Sequence, residues 1–203
     1  MESKVLQSQP MRKPPAARPD TRTRILDAAL DVFSEHGFEG SSLQQIADRL
    51  DLTKAALYYY FRSKDELLEA LVEPAITGVE EIINACSGEP DTPARRKDFM
   101  KQYLDYFLRQ RRLIAYISRD LATLAHPAIS SGNEERRARM EAILAGSDLD
   151  FSDQVRVTMA FGGMQAAIAQ YPDADEAELR EALLDAGAAL LKPRRPAAKK
   201  LTV

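Results

Sequence analysis

The chain is short of the residues that bind metals, cross-link chains or carry out most catalysis. It has one cysteine, Cys86, two histidines and no tryptophan among 203 residues. A single thiol excludes an internal disulfide framework and suits a reducing, cytoplasmic setting. His36 and His126 are too far apart in the chain to form a local ligand pair. There is no G-x-S-x-G, no H-E-x-x-H, no phosphate loop and no paired cysteine, so no enzyme signature is present and no cofactor or metal is expected. No apolar stretch reaches the roughly 18 residues that a membrane span needs. The opening MESKVLQSQPMRKPPAARPD is polar and proline-rich and lacks the apolar segment of a secretory signal.

What remains is a chain with 45% hydrophobic and 29% charged residues, enough to bury a core and stay in solution. The net charge of −3 hides an uneven distribution. Lys4, Arg12, Lys13, Arg18, Arg22 and Arg24 make the start basic, and Lys192, Arg194, Arg195, Lys199 and Lys200 make the end basic. The body between them carries the acidic excess, which argues against a sequence-blind coat for nucleic acid and leaves room for local anion binding.

Residues 1–18 read as a disordered basic arm. Beyond it, Ile25, Ala28, Ala29, Val32 and Phe33 recur on one helical stripe, with Gly37 placed to end the helix. Ser42 with Gln45 is a capping-box pair opening a second helix, lined by Leu43, Ile46, Ala47 and Leu50. Thr53 can cap a third, short helix, TKAALYYYF, and Ser63 a fourth whose first turn carries Asp65 and Glu66. Residues 64–86 form a broad apolar face with Pro74 inside, predicting a kink or a split. Helices follow over 94–110, 112–126, 134–145, 153–170 and 175–192. The pattern predicts an all-α chain of about nine helices, with no sheet.

The stretch LTKAALYYYFRSKDEL, residues 52–67, sets three tyrosines beside cations. Three consecutive helical residues spread over about 200° of arc, so they cannot all face one core. The preceding turn is only two or three residues, the layout of a helix-turn-helix. Leu57 and Phe61 can anchor the third helix inward. Lys54, Ala55, Ala56 and the tyrosines are then left outside, where a helix N-terminus and phenol hydroxyls suit phosphate.

Residues 21–68 resemble the DNA-binding domain of the TetR family of bacterial transcriptional regulators, through ILDAALDVFSEHGFEGSSLQQIA followed by LTKAALYYYFRSKDELL. The resemblance implies a helix-turn-helix domain over 19–65 and a helical ligand-binding and dimerisation domain over 66–192, followed by a basic tail over 193–203. It implies DNA contacts by Ser42 and Thr53, major-groove placement of Lys54, Ala55 and Ala56, backbone and thymine-methyl contacts by Tyr58 and Tyr59, and a phosphate clamp at Lys64. Three positions depart from the family pattern. Asp51 stands for a turn glycine, Ala55-Ala56 for Gly-Thr, and Tyr60 for a histidine, where a phenol can still meet phosphate.

The resemblance also implies a homodimer on a palindromic double-stranded operator, released by a small apolar or aromatic ligand. Ligand-lining candidates are Tyr103, Tyr106, Phe107, Tyr116, Phe161, Met164 and Gln165. Dimer candidates on the last two helices are Val157, Ala160, Met164, Ala167, Leu179, Leu183, Ala186, Gly187 and Leu190. The competing reading is a helical small-molecule-binding protein or enzyme with no DNA-reading role.

Overall fold

The computed structural model describes residues 20–88, 90, 92–145 and 150–191. The basic arm 1–18 and the tail 193–203 lie outside the described residues. Eleven helices follow in order: α1 Thr21–Gly40, α2 Leu43–Arg49, α3 Lys54–Tyr60, α4 Lys64–Cys86, α5 Pro93–Arg109, α6 Arg111–Ile117, α7 Leu121–Ala125, α8 Pro127–Ser130, α9 Asn133–Ala145, α10 Phe151–Gln170 and α11 Glu176–Leu190. No strand occurs among the described residues, so the all-helical class holds.

Among the described residues the count exceeds nine because the single helix expected over 112–126 is broken in two and a short α8 follows it. α6 stops at Ile117, Asp120 caps a new helix by accepting from the Thr123 N–H, and His126 caps α8 by accepting from the Ala128 N–H. Apolar periodicity runs through such breaks unchanged, which is why it reported one element. Pro74, by contrast, sits inside a continuous α4.

Local chemistry sets the N-terminal elements. Gly37 takes φ +72°, so the first helix ends there and one further turn carries the chain to Gly40. Ser42 and Gln45 form the reciprocal capping box. Asp51 adopts φ +54°, the left-handed conformation that the turn into α3 requires and that Asp tolerates better than most residues.

Two hydrophobic clusters organise the molecule, and α4 runs through both. Its first half gives Leu67, Leu68 and Val72 to the N-terminal cluster of Ile25, Phe33, Ile46, Leu57 and Phe61. Its second half gives Val79, Ile83 and Cys86 to the cluster built on Phe99, Leu104, Phe161, Ile168 and Leu183. The expected boundary at residue 65 therefore falls in the first turn of a helix shared by both units. α6 joins the N-terminal cluster as well, through Leu113 and Tyr116.

Candidate functional site

α3 is held by two apolar anchors and presents everything else. Leu57 and Phe61 are fully buried against α1, α2 and α4. The Thr53 hydroxyl accepts from the Ala56 N–H at 3.1 Å and opens the helix. Lys54 and Ala55 are exposed and Ala56 is half-buried on the same outer side. Tyr58 and Tyr60 are about half-exposed and Tyr59 is 84% exposed. The Lys54 ammonium lies 5.7 Å from the Tyr58 ring centre, and Tyr59 meets Tyr60 edge-on at 5.3 Å. All three tyrosines thus stand on the surface, more than the spread of about 200° requires, since that spread excludes only all three facing one core. This outer face combines one cation, three phenols and two small residues that let a groove approach.

Ser42, exposed at the start of α2, lies on the same end of the molecule. Lys64 is more committed than the sequence shows. Its ammonium donates to the carbonyls of Phe38 at 2.5 Å, Ser41 at 3.2 Å and Glu39 at 3.3 Å, and lies 4.4 Å from the Phe38 ring centre. Those carbonyls end the α1 segment, where a cation offsets the negative end of the helix. Lys64 therefore ties the start of α4 to the turn that leads into α2. Arg22 at the start of α1 lies 5.1 Å above the Phe61 ring, a contact between segments distant in the chain.

The second feature is a cavity of about 360 Å³ between α4 and α10. Val72, Ala75, Ile76 and Val79 of α4 form one wall, and Tyr103, Phe107, Phe161 and Gln165 face them from α5 and α10. The wall is completed by Ile114 and Ile117 of α6, Leu124 of α7, Ile129 of α8, and a polar rim on α9 that includes Arg137 and Glu141. The α4 wall and the α9 rim escaped the sequence reading, because an amphipathic face looks the same whether it lines a cavity or a core.

Of the seven lining candidates, Tyr103, Phe107, Phe161 and Gln165 meet here, and the other three do not. Tyr106 turns to α4 and donates to the Pro74 carbonyl at 2.6 Å. Tyr116 stacks on Phe33 of α1 and hydrogen-bonds the Thr123 hydroxyl, so it lies on the far side of α6. Met164 fills the space over Gly187, where an added Cβ would lie 2.6 Å from its methyl.

The proposed dimer residues are placed mostly inward. Val157, Ala160, Met164, Leu179, Leu183 and Gly187 are buried within one chain. Ala167 and Leu190 are half-buried against the same core, and Ala186 is exposed. α11 spends its Leu179–Leu183–Gly187 row on α5 and α10. A different stripe of α10 is left uncovered: Phe151, Val155 and Met159 are exposed, and Gly162, Gly163 and Ala166 continue it. An added Cβ at Gly162 or Gly163 meets nothing within 4 Å, so no contact inside the chain demands glycine there.

Residues 25–71 match the family model described as "Bacterial regulatory proteins, tetR family". The HTH-type transcriptional regulator SrpR of Pseudomonas putida is 43% identical over 61 residues, 30% of this chain and 29% of that protein. The class C tetracycline repressor protein of Escherichia coli is 27% identical over 161 residues, covering 76% of this chain and 69% of that one. The matches to the first curated relatives span half of their length or less. A transcriptional regulator from Aquifex aeolicus VF5 shares the fold, with a TM-score of 0.66 at 21% identity over 85% of this chain and all of that one. The capped helix-turn-helix with its exposed tyrosine helix is thus the part that matches the tetR family of bacterial regulatory proteins, over residues 25–71, and the rest of the chain shares the fold of TetR-type regulators.

Proposed function

We propose that the chain acts as a cytoplasmic homodimer that represses transcription from a palindromic operator and leaves it when a small molecule fills the α4–α10 cavity. The observation that carries the DNA part is α3. Its outer face is exposed along Lys54, Ala55, Tyr58 and Tyr59 while Leu57 and Phe61 hold it rigidly to the core. Lys54, Ala55 and Ala56 address base edges, and Ser42, Thr53, Tyr58, Tyr59 and Tyr60 address backbone and methyl groups. Lys64 serves at the rim, through the turn it braces and through the field it adds.

Ligand release is supported by the position of α4. One helix forms a wall of the cavity with Val72, Ala75, Ile76 and Val79 and a wall of the DNA-binding core with Leu67 and Leu68. A molecule that displaces the first set shifts the second, and the coupling must be reciprocal. Dimerisation is supported by the uncovered α10 stripe, which a second copy can bury in a four-helix contact with α11.

The test is selection of bound sequences from a random duplex library at near-physiological salt. A palindrome of two related half-sites is the expected product. Binding with no sequence preference, or none at any salt, would leave the competing reading of a helical ligand-binding protein without a DNA role.

A further inference from the structure

The cavity wall contains one polar pair set deep among apolar groups. Tyr103 is 3% exposed, with its ring stacked on Phe107 at 4.2 Å between centres and edge-on to Phe161 at 4.6 Å. Its hydroxyl accepts from Gln165 Nε2 at 2.9 Å. A phenol also carries one proton to donate. No acceptor for that proton occurs among the described residues. Turning the Gln165 amide end for end makes Tyr103 the donor and leaves the amide NH2 as the group without an acceptor. Either arrangement leaves a hydrogen-bond donor at the cavity wall. Burial pushes the Tyr103 phenol well above its ordinary pKa, so it stays an uncharged O–H throughout the physiological range.

The charged groups of the rim are already committed to one another. Arg136 donates to the Ile129 and Ser131 carbonyls and lies near Glu80, which Arg139 also holds. Arg137 pairs with Glu141 at 3.6 Å, and Glu141 is the one acid in the cavity wall. An anionic ligand would have to displace Glu141, and a cationic one Arg137, each leaving a charge without its partner. A neutral ligand disturbs neither.

We propose that the cavity selects a neutral, largely apolar molecule carrying a carbonyl-type oxygen, and that this oxygen accepts the hydrogen bond offered by the Tyr103–Gln165 pair. The proposal deepens the ligand-responsive reading above and rests on it for its regulatory meaning. A buried donor without an acceptor forfeits the hydration it had in water, so a ligand that brings the acceptor recovers what an isosteric hydrocarbon cannot.

The probes are 2-acetylnaphthalene and 2-ethylnaphthalene, which differ by a carbonyl in place of a methylene. Their affinities for the full chain are measured by calorimetry, for the wild type and for the Tyr103→Phe/Gln165→Leu double variant. The ketone should bind the wild type about five- to tenfold more tightly, the range of one neutral hydrogen bond. In the double variant the preference should fall below about twofold while the hydrocarbon still binds, which itself reports an intact cavity. Equal affinities in the wild type, a preference that survives in the double variant, or no binding of either probe overturns the proposal. DNA binding is followed in the same samples. Selective ketone binding that leaves DNA affinity unchanged supports the cavity assignment and removes the ligand-response reading. DNA release by other compounds, with no ketone preference, does the reverse.

Discussion

The Asp120 carboxylate accepts the backbone N–H of Phe38 at 2.8 Å, joining two residues 82 positions apart. Its other oxygen accepts from the Thr123 N–H at 2.7 Å and opens α7. One carboxylate thus holds the last turn of α1 against the segment α6–α8, whose Ile117, Leu124 and Ile129 line the cavity. The same seam contains His126 beside Asp65 at 3.2 Å and Arg112 against Asp31. The DNA-binding unit is therefore gripped from two sides, by α4 and by α6–α8.

Asp120 gives that seam an acid-sensitive component. Burial pushes its carboxyl up, but the N–H groups of Thr123 and Phe38 outweigh this and hold it below the ordinary carboxylate range. A depressed folded-state pKa stabilises the fold above the ordinary carboxylate pKa, and that stability is lost as pH falls through the depressed value. Asp120→Asn should flatten the acid limb of a urea-melting series, and Asp120→Ala should cost about 1–2 kcal/mol at neutral pH as a lost cap. A wild-type acid limb unchanged in the Asn variant would assign the sensitivity to other carboxylates.

The two lysines of the DNA-binding unit should behave differently. Lys54→Ala is expected to alter the selected sequence profile, since Lys54 lies exposed on the outer face of α3. Lys64→Ala is expected to weaken binding to every sequence and to lower the salt slope by about 1. It should also lower the melting temperature of the free protein, because three carbonyls lose their donor. A salt slope equal to wild type, with the melting temperature still reduced, would give Lys64 a bracing role alone.

The uncovered stripe of α10 separates folding from association. Met159 is 55% exposed, so Met159→Glu should reduce the sedimenting mass to that of one chain and lower the melting temperature only as far as lost association does, a difference that shrinks on dilution. Leu183→Ala, inside the core, should instead cost about 2–4 kcal/mol of stability. A Met159→Glu variant that sediments like wild type would move the dimer contact off this stripe.

Gly78 and Tyr106 form a coupled pair on α4 and α5. A Cβ at Gly78 would lie 2.3 Å from the Tyr106 phenol, which is fixed by its bond to the Pro74 carbonyl. Gly78→Ala should destabilise by about 1–3 kcal/mol through overpacking. Adding Tyr106→Ala should recover part of that loss, so the double variant is more stable than the two single changes predict by addition. Strict additivity in chemical denaturation would refute the contact.

Much of the DNA-binding end was legible in the chain. Ser42 with Gln45, Thr53, Ser63 and Asp51 each act on backbone within three or four residues, so their residue type alone states their role. That Tyr58, Tyr59 and Tyr60 could not all be buried against one core followed from helical geometry, and the structure exposes all three. The larger unit was legible only as helices. Tyr103 and Tyr106 stand on one helix three positions apart, yet one lines the cavity and the other clasps Pro74. Helical periodicity marks a face as apolar and is silent on what covers it.

Local chemistry in the sequence thus determined the first four helices, their N-terminal caps and the left-handed turn at Asp51. The tertiary structure decided everything that depends on two distant segments meeting. It set Asp120 under Phe38, spent Lys64 on the carbonyls that end α1, turned Leu179 and Leu183 into the chain's own core, and left Phe151, Val155 and Met159 uncovered. Those outcomes depend on which faces pack first and on the angles between helices, and apolar surface is buried by area and fit without regard to position along the chain.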